Sequence, residues 1–305
     1  MSVVKNVVVD IEELEKISPV FRGKWGNRLA KIFIRVFAMD RVNRVYGNSC
    51  NLEGADFAES LLNDLGVNYK IGNSERLLNL PEGSFITVSN HPYGGIDGIM
   101  LIDLMLSVRG DYKLMVNQLL SLVKTMNDNF ISVKPKVGKK ETNTLAGING
   151  IRKTIIRIKD GHPMGFFPAG AVSMFGFKHL GVKDREWQMS LLKLIQSAKV
   201  PIIPIRFYDK NSILFYFLGL INWRIRLIRM PYELFNKRNK KVRLGIGNTI
   251  SVEEQQKFTD LKSYGKFLRK SVYNMPKPES FITKTEFKAL INRVMMCVFT
   301  WFSYN

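Results

Sequence analysis

Residues 84–107, SFITVSNHPYGGIDGIMLIDLMLS, carry the clearest structural signal in the chain. The apolar run SFITVSN predicts a buried strand, and Pro92 stops it because proline has no backbone N–H to donate to a sheet. The segment GIDGIMLIDLMLS then predicts a helix of about three turns. A buried strand followed at once by a helix is the repeating unit of α/β folds.

The region downstream repeats this alternation. Further apolar runs predict strands: YKLMVN (112–117), NFISVK (129–134), MGFFPA (164–169), VPIIPIRF (200–207) and KVRLGIG (241–247). Two intervening segments predict helices: INGIRKTIIRIKDG (148–161) and EWQMSLLKLIQSAK (186–199). The pattern predicts an α/β fold with a mostly parallel central sheet flanked by helices. The two prolines of VPIIPIRF predict an edge strand or an interrupted one.

The regions outside this core predict helices and an arm. Residues 1–20 are interpreted as an opening strand or arm. From Asn27 a helical stripe is predicted, and residues 53–68 predict a second amphipathic helix. The stripe consists of Leu29, Ile32, Phe33, Val36 and Phe37, with Arg28, Lys31, Arg35 and Arg41 mostly outside it. Such a basic helix can lie on an anionic bilayer or pack against the core, and both readings stay open.

The predicted organisation has three parts. Residues 1–75 form an N-terminal arm with amphipathic, membrane-facing helices, residues 76–252 form the catalytic core, and residues 253–305 form a helical extension. Segments 213–230 and 285–303 are aromatic-rich and flanked by cations, and neither has the uncharged length of about 20 residues that a spanning helix needs. They are read either as membrane-interface segments or as parts of the core.

The charge balance points to an anionic partner. Lysine and arginine number 46 against 26 aspartates and glutamates, which gives a formal net charge of +20. Nucleic acid, an anionic membrane, or an acidic protein or cofactor would each fit this charge. Because the sequence has no zinc finger, basic zipper or RNP-type strand motif, no nucleic-acid partner is expected.

Cysteine usage and the N-terminus favour a cytoplasmic protein. Cys50 and Cys297 belong to no motif, so a zinc module and a disulfide scaffold are not expected. The opening MSVVKNVVVDIEELEKISP lacks the basic-then-apolar layout of a signal peptide.

The chemistry-bearing motif is SNHPYGGIDG, residues 89–98. His91 follows the carboxyl end of a predicted strand, where α/β sheets bind ligands, and imidazole is the usual general base near neutral pH. Asp97 can accept the other imidazole N–H and stabilise the imidazolium. The alternative is structural, with His91 ending the strand and Asp97 acting as a helix N-cap. The three histidines lie in unrelated settings, so no metal site is expected.

Two further features bear on binding. GFFPAGAVS, residues 165–173, is an apolar strand followed by a loop at Pro168 and Gly170, whose backbone N–H groups can hold an anion. The chain has no Gly-x-Ser-x-Gly elbow, P-loop or dinucleotide fingerprint. A base without an obvious protein nucleophile indicates that a hydroxyl or amine of the substrate attacks directly.

These features, in this order, resemble the lysophospholipid acyltransferase superfamily, the PlsC-like glycerolipid acyltransferases. The resemblance covers roughly residues 80–250. The family's Asn-His block with a following Asp matches Asn90, His91 and Asp97. Its Phe-Pro-Glu-Gly block matches Phe167, Pro168, Ala169 and Gly170, and its Val-Pro-x-x-Pro block matches Val200 to Pro204.

The match departs from the family pattern at two positions. Five residues separate His91 from Asp97, where the family has four, and the Gly94-Gly95 step can absorb the extra residue. A bacterial subgroup with Asn-His-Pro-x-Gly-Gly-x-Asp-Gly, some of whose members acylate lyso-amino-acid lipids, looks like this. Ala169 stands where the family's Glu would position a glycerol-phosphate acceptor, which disfavours a conventional 1-acylglycerol-3-phosphate acyltransferase. The family's phosphate-binding Arg has only Lys134 as a looser counterpart.

The resemblance implies an O-acyltransferase with no metal or redox cofactor. Its acyl donor would be a thioester of acyl carrier protein or coenzyme A, and its acceptor a lysolipid hydroxyl. The implied base is His91, supported by Asp97, and backbone N–H groups at Gly94 and Gly95 are the expected oxyanion donors. The expected location is peripheral, on the cytoplasmic face of the inner membrane. A non-catalytic basic membrane- or nucleic-acid-binding protein is the alternative of another class.

Overall fold

A computed structural model describes residues 5–117, 123–133, 145–177 and 180–304. The strands in this part of the chain are β1 (Tyr69–Gly72), β2 (Ile86–Ser89), β3 (Lys113–Asn117), β4 (Phe130–Val133), β5 (Met164–Phe166), β6 (Met174–Gly176), β7 (Gly181–Lys183), β8 (Ile202–Phe207), β9 (Val242–Ile246) and β10 (Ile282–Thr283). Eight form one sheet in the order β10-β1-β9-β8-β2-β5-β3-β4, and β6 and β7 form a separate hairpin. Only β1/β10 and β8/β9 pair antiparallel within that sheet. The predicted fold class is confirmed.

Helices surround the sheet. In the same residues they are α1 (Ile11–Ile17), α2 (Gly23–Val36), α3 (Met39–Ser49), α4 (Gly54–Leu65), α5 (Gly95–Leu106), α6 (Leu145–Lys159), α7 (Met189–Ala198), α8 (Ile213–Ile221), α9 (Trp223–Phe235), α10 (Val252–Gln256), α11 (Leu261–Tyr273) and α12 (Lys284–Tyr304). Short 3-10 helices span Pro19–Phe21, Ser74–Asn79 and Lys124–Asn129. None of the helices, over the described residues, is both long and apolar enough to cross a bilayer.

Both faces of the sheet are covered. One face packs against α3, α4 and α5 through side chains such as Tyr46, Phe57 and Met100. The other packs against α7 and α11, where Leu192 and Leu268 are buried. This explains why the central strands read as almost continuous apolar runs. Each large aliphatic side chain buried in this way stabilises the fold by about 1.5–3 kcal/mol.

Strand β8 corrects one prediction. VPIIPIRF was expected at an edge or as an interrupted strand. The edge alternative is wrong, because β8 lies inside the sheet between β9 and β2. Its pairing with β9 is interrupted, since the ladder starts at Ile205, opposite Ile246, and pairing returns at the bridge between Ile202 and Ile250. Pro204 lies in this gap, and its carbonyl accepts a hydrogen bond from the Gly247 N–H at 2.7 Å.

The chain ends both contribute to the sheet. Residues 5–10 form an arm and no strand, and Asn43 of α3 ties this arm down by accepting the Val8 and Val9 N–H groups at 2.9 and 3.1 Å. Strand β1 comes from the predicted N-terminal part, and β10 comes from the predicted C-terminal extension. The division at 75 and 252 stays a prediction.

Candidate active site

The histidine and the aspartate of the motif meet at the carboxyl end of β2. Nδ1 of His91 lies 2.7 Å from Oδ2 of Asp97. Asp97 is the third residue of α5 and has no solvent exposure, whereas the His91 side chain is 18% exposed. Among the described residues nothing hydrogen-bonds Nε2 of His91. One imidazole nitrogen is therefore held by a buried carboxylate, and the other is available to a substrate.

Backbone donors also fix the carboxylate of Asp97. It accepts the Tyr93 N–H at 3.1 Å and the Gly94 N–H at 3.2 Å. Burial raises the pKa of Asp97, and the neighbouring His91 together with these two N–H groups opposes that rise. The helix N-cap is Gly94, so the alternative that made Asp97 the N-cap is wrong in position. Asp97 instead binds the preceding turn and the imidazole at once.

Gly94 makes this turn possible. Its φ of 93° lies in the region that favours glycine, and a Cβ there would come within 2.7 Å of Sδ of Met230 on α9. Because the Gly94 N–H already donates to Asp97, it is not free for an oxyanion. Gly95, the first residue of α5, retains the N–H that helix geometry leaves without an intrahelical partner.

The block after β5 stacks on the imidazole. The Phe167 ring lies 4.3 Å from the His91 ring, with 29° between their planes. Ala169 is fully buried, and its carbonyl accepts a hydrogen bond from Nε of Arg185 at 2.7 Å. The Pro168 carbonyl accepts the N–H of Gln188 at 2.9 Å. Phe167 therefore packs against one face of the imidazole, and the backbone that follows it is held by hydrogen bonds from Arg185 and Gln188.

Gly170 closes that loop with a φ of 60°. A Cβ at this position would overlap Nε2 of Gln188, at 1.7 Å. The loop thus depends on glycine for both its backbone conformation and its space, as the sequence predicted for a turn after a strand.

Asn90 serves the framework. Its side-chain Oδ1 accepts the Phe207 N–H at 2.7 Å, and its Nδ2 donates to the Phe207 carbonyl at 2.9 Å. These two bonds tie the end of β2 to the end of β8. Both polar atoms of the Asn90 side chain are thus used within the framework, and the substrate-binding role that the family resemblance implies for Asn90 stays a prediction. Lys134, the counterpart of the family's phosphate-binding Arg, lies outside the described residues.

Asp184 is a site residue that the sequence reasoning missed. Its Oδ1 accepts the His91 backbone N–H at 3.1 Å and the Ser173 hydroxyl at 2.6 Å, and its Oδ2 accepts Nε1 of Trp187 at 3.3 Å. Ser173 in turn donates its N–H to the His91 carbonyl at 2.8 Å. No local signal in the sequence marked Asp184, because it follows the β6–β7 hairpin, far along the chain from His91.

A second His–Asp pair has the same separation but lies at a different place in the sheet. Nδ1 of His162 lies 2.7 Å from Oδ2 of Asp111, but this pair precedes strands β5 and β3 at the amino edge of the sheet. Both groups are about a third or more exposed, and Arg109 also binds the carboxylate. Ligands in open α/β sheets bind at the opposite, carboxyl edge, where His91 lies.

A groove of about 720 Å³ opens near this second pair, between α6 and the edge strand β4. Its lining includes Ser132, Lys153 and Arg157 and none of the residues around His91. Three strand spacings of about 4.8 Å separate β4 from β2, so the groove is distinct from the His91 site. Over the described part of the chain, no three His, Cys, Asp or Glu side chains lie close enough to hold a metal ion.

Three helices, α2, α8 and α9, expose large apolar side chains. We call this set the apolar face: Trp25, Leu29, Ile32 and Val36 of α2, and Ile213, Phe217, Leu220, Ile221, Trp223 and Leu227 of α8 and α9. Trp25 is 82% exposed and Ile213 is 85% exposed. The Tyr232 hydroxyl donates to the Val36 carbonyl at 2.8 Å, which joins α9 to the end of α2. A core reading for most of segment 213–230 is therefore wrong, although Phe215 and Tyr216 are buried.

The later apolar segment behaves differently. Residues 285–303 lie in α12, which contacts β1 and β10. Phe287 near its start is fully buried, whereas Val294 and Met296 are exposed. The first turns of α12 therefore dock on the domain.

Comparison with known proteins identifies the family. A family model described as "Acyltransferase" matches residues 14–279. The chain belongs to this acyltransferase family. It is also similar to two curated proteins named lyso-glycine lipid O-acyltransferase. The one from Bacteroides thetaiotaomicron is 25% identical over 279 residues, covering 88% of this chain and 97% of the relative. The one from Phocaeicola vulgatus is 26% identical, covering 88% and 95%.

The acyltransferase is thus an enzyme of lipid acylation type, as the resemblance indicated. The matched range contains every predicted site residue from Asn90 to Gly170. In this acyltransferase, β2, β5 and β8 carry the three motif blocks side by side in the sheet. The Asn-His and Phe-Pro-Ala-Gly blocks follow the carboxyl ends of β2 and β5, whereas the Val-Pro-x-x-Pro block leads into the amino half of β8 and pairs with the body of β2. The parallel pairing of β2 with β5 therefore brings two blocks that are distant in sequence to one edge.

Proposed function

We propose that this acyltransferase moves a fatty acyl chain from a thioester to the hydroxyl of a lysolipid, with a lyso-aminolipid as the preferred acceptor. The observation that carries the proposal is the pair of His91 and Asp97, 2.7 Å apart at the carboxyl edge of the sheet. The buried Ala169, which replaces the family's Glu, and the names of the two curated relatives favour an acceptor other than glycerol phosphate.

The proposed reaction has two proton transfers, one from the acceptor hydroxyl to His91 and one from His91 to the leaving thiolate. Nε2 of His91 takes the proton of the acceptor hydroxyl while that oxygen attacks the thioester carbonyl carbon. Asp97 stabilises the positive imidazolium, and the Gly95 N–H stands near the oxyanion. When the C–S bond breaks, the imidazolium returns the proton to the leaving sulfur. The ester oxygen comes from the acceptor, and the free thiol leaves on its carrier.

The donor is proposed to be acyl carrier protein or coenzyme A. Both present an anionic surface or phosphates, and the net charge of +20 attracts them. The thioester supplies an activated acyl group, so no metal, redox group or further cofactor enters the proposed reaction. No nucleic-acid partner is proposed.

The lipid substrate is proposed to reach the site from a membrane surface. The apolar face inserts among acyl chains, and the exposed cations Arg28, Lys31 and Arg35 on α2 bind anionic head groups. Met230 of α9 packs beside Gly94, so this face adjoins the catalytic loop. The protein is accordingly proposed to be peripheral, on the cytoplasmic face of the inner membrane.

An acyl-transfer assay tests the function. Purified wild type and His91→Ala would receive labelled acyl carrier protein thioester, with a lyso-aminolipid and lysophosphatidate as parallel acceptors. We expect activity with the lyso-aminolipid, reduced at least ~10²-fold in the variant, while thermal unfolding stays near wild type. Unchanged activity in a folded His91→Ala variant would remove the catalytic assignment, and transfer to lysophosphatidate alone would replace the acceptor class.

A further inference from the structure

Arg226 is a nearly buried cation on α9 with few partners. The residue is 8% exposed, and its Cζ lies 5.2 Å from the centre of the Phe215 ring. Of its five N–H groups, the described residues provide one hydrogen-bond acceptor, the Ser173 carbonyl at 3.1 Å from Nη1. Nε is buried without a partner in the same part of the chain. No carboxylate of the described residues forms an ion pair with Arg226.

Glu233, the one acidic residue of α9, is already paired with cations. Glu233 lies about two helical turns after Arg226 on α9. Its Oε2 is 3.0 Å from Nζ of Lys237, and its Oε1 is 3.7 Å from Nε of Arg229. It also accepts hydrogen bonds from the backbone and hydroxyl of Ser212. Burial lowers the pKa of Arg226, which is the direction expected for a cation without a counter-ion. A buried charge normally has a partner, because burying it alone is costly.

Ser173 connects Arg226 to the loop that carries His91. The Ser173 carbonyl binds the guanidinium, and the Ser173 N–H binds the carbonyl of His91. An anion at Arg226 would therefore be linked by two hydrogen bonds, through the Ser173 backbone, to the backbone of the residue that deprotonates the acceptor. Ser173 also directly precedes β6, and β6 contacts α8, which carries part of the apolar face.

We propose that Arg226 binds the anionic head group of the acceptor lipid, next to the hydroxyl that His91 deprotonates. The inference rests on the proposed function and assigns its acceptor site. An amino-acid head group linked through its nitrogen keeps a free carboxylate, and a lysophospholipid carries a phosphate. The planar guanidinium fork suits either oxyanion. The phosphate of the acyl donor is separated from the thioester by a long flexible arm, so it lies too far from the reacting carbon for this position.

The experiment compares an acceptor with its uncharged methyl ester, and with a third acceptor that carries a phosphate. Wild type, Arg226→Gln, Arg226→Lys and the control Lys193→Gln, an exposed cation of α7, would be assayed in mixed micelles with acyl carrier protein thioester. The acceptors would be a lyso-aminolipid with a free carboxylate, its methyl ester, and lysophosphatidate. Equilibrium binding of each acceptor, without donor, would be measured in parallel, so that the result does not depend on turnover. Circular dichroism and thermal unfolding would establish that each variant is folded.

We expect wild type to prefer the acid over its methyl ester by roughly 10- to 100-fold in kcat/KM, mainly through KM. Arg226→Gln should bring this ratio close to one, Arg226→Lys should restore part of it, and Lys193→Gln should keep it. The KM for the donor should not change. A larger loss with lysophosphatidate than with the carboxylate would support the site and assign phosphate as its anion.

Other outcomes would overturn the assignment. A folded Arg226→Gln variant that still prefers the acid over the ester does not use Arg226 for the head group. A rise confined to the donor KM would place the donor phosphate there instead. If wild type transfers no acyl group to any acceptor, the proposed function fails. The equilibrium binding measurements would still test the anion site, because equal binding of acid and ester by wild type would exclude it.

Discussion

The carboxylate of Asp97 lies 2.7 Å from Nδ1 of His91 although five residues separate them in the chain. The turn between them folds around the carboxylate, since the N–H groups of Tyr93 and Gly94 both donate to it. Gly94, with a φ of 93°, lies within this turn. The position of the Asp97 carboxylate is therefore fixed by backbone N–H groups as well as by its contact with the His91 imidazole.

Replacing the buried carboxylate separates activity from stability. Asp97→Asn keeps an oxygen that can accept the Tyr93 and Gly94 N–H groups, but it cannot stabilise an imidazolium. We expect kcat to fall by about 10²- to 10⁴-fold. Because burial raises the pKa of Asp97, its charge is held at a cost, and the melting temperature of the variant should equal or exceed that of wild type. Acyl-transfer kinetics and calorimetry would measure both, and a lower melting temperature would show that the charge stabilises the fold.

The raised pKa of Asp97 predicts a pH dependence of stability. A carboxyl whose folded pKa exceeds its unfolded one binds protons more tightly when folded. Its contribution to stability is therefore fully present below the unfolded pKa and is lost as pH rises through the folded pKa. Chemical unfolding of wild type and Asp97→Asn across this interval should show wild type losing stability relative to the variant. A constant difference would contradict the assigned direction.

Asp184 is expected to position the catalytic loop. In Asp184→Asn, one side-chain position becomes an NH₂ group, which must face either Nε1–H of Trp187 or the His91 N–H. The new NH₂ group would then face another N–H donor, so one hydrogen bond to the loop would be lost. We expect a drop in kcat of roughly tenfold with little change in the acceptor KM. Adding Trp187→Phe removes one of these donors and should recover part of kcat. A loss of kcat that the double variant does not relieve would indicate a general structural role instead.

Gly94 and Gly95 are adjacent but should tolerate alanine differently. At Gly94 the positive φ and the 2.7 Å approach to Sδ of Met230 predict a loss of about 1–3 kcal/mol in unfolding free energy. At Gly95 a Cβ would meet only Cδ2 of Leu234 at 3.8 Å, an ordinary contact, and the position is helical. Urea unfolding of Gly94→Ala and Gly95→Ala would compare them. Equal losses would mean that the conformation at Gly94 is not the constraint.

The apolar face predicts binding to anionic vesicles. Trp25→Ser and Ile213→Ser each remove a large exposed side chain, whose burial in lipid would contribute up to about 1.5–3 kcal/mol. Each should lower co-sedimentation with anionic vesicles by roughly tenfold or more, while Ile148→Ser, an exposed site on α6, should not. Raising the salt concentration should weaken binding further, since the cations of α2 contribute. Equal binding by all three variants and wild type would exclude the face as the membrane contact.

Much of the site was predictable from local sequence. The strand, the proline, the two glycines and the helix around His91 follow from short-range rules, because each concerns the conformation of neighbouring residues. Phe167 was predictable only through the family resemblance, since its contact with the imidazole joins two separate strands. Asp184 and Arg226 were not predicted, because nothing near them in the chain marks a buried carboxylate or guanidinium as part of a site.

The amino-acid sequence was sufficient for the fold class, for six of the eight strands of the described sheet and for the pair His91 and Asp97. These follow from apolar periodicity and from residues a few positions apart, whereas the family was indicated by the resemblance of three separated motif blocks. Three features required the folded chain: the internal position of β8 despite its prolines, the partners of His91 from beyond the β6–β7 hairpin, and the exposure of α8 and α9. Each depends on which distant segments come into contact, because burial and hydrogen-bond partners across a sheet arise only when those segments pack together.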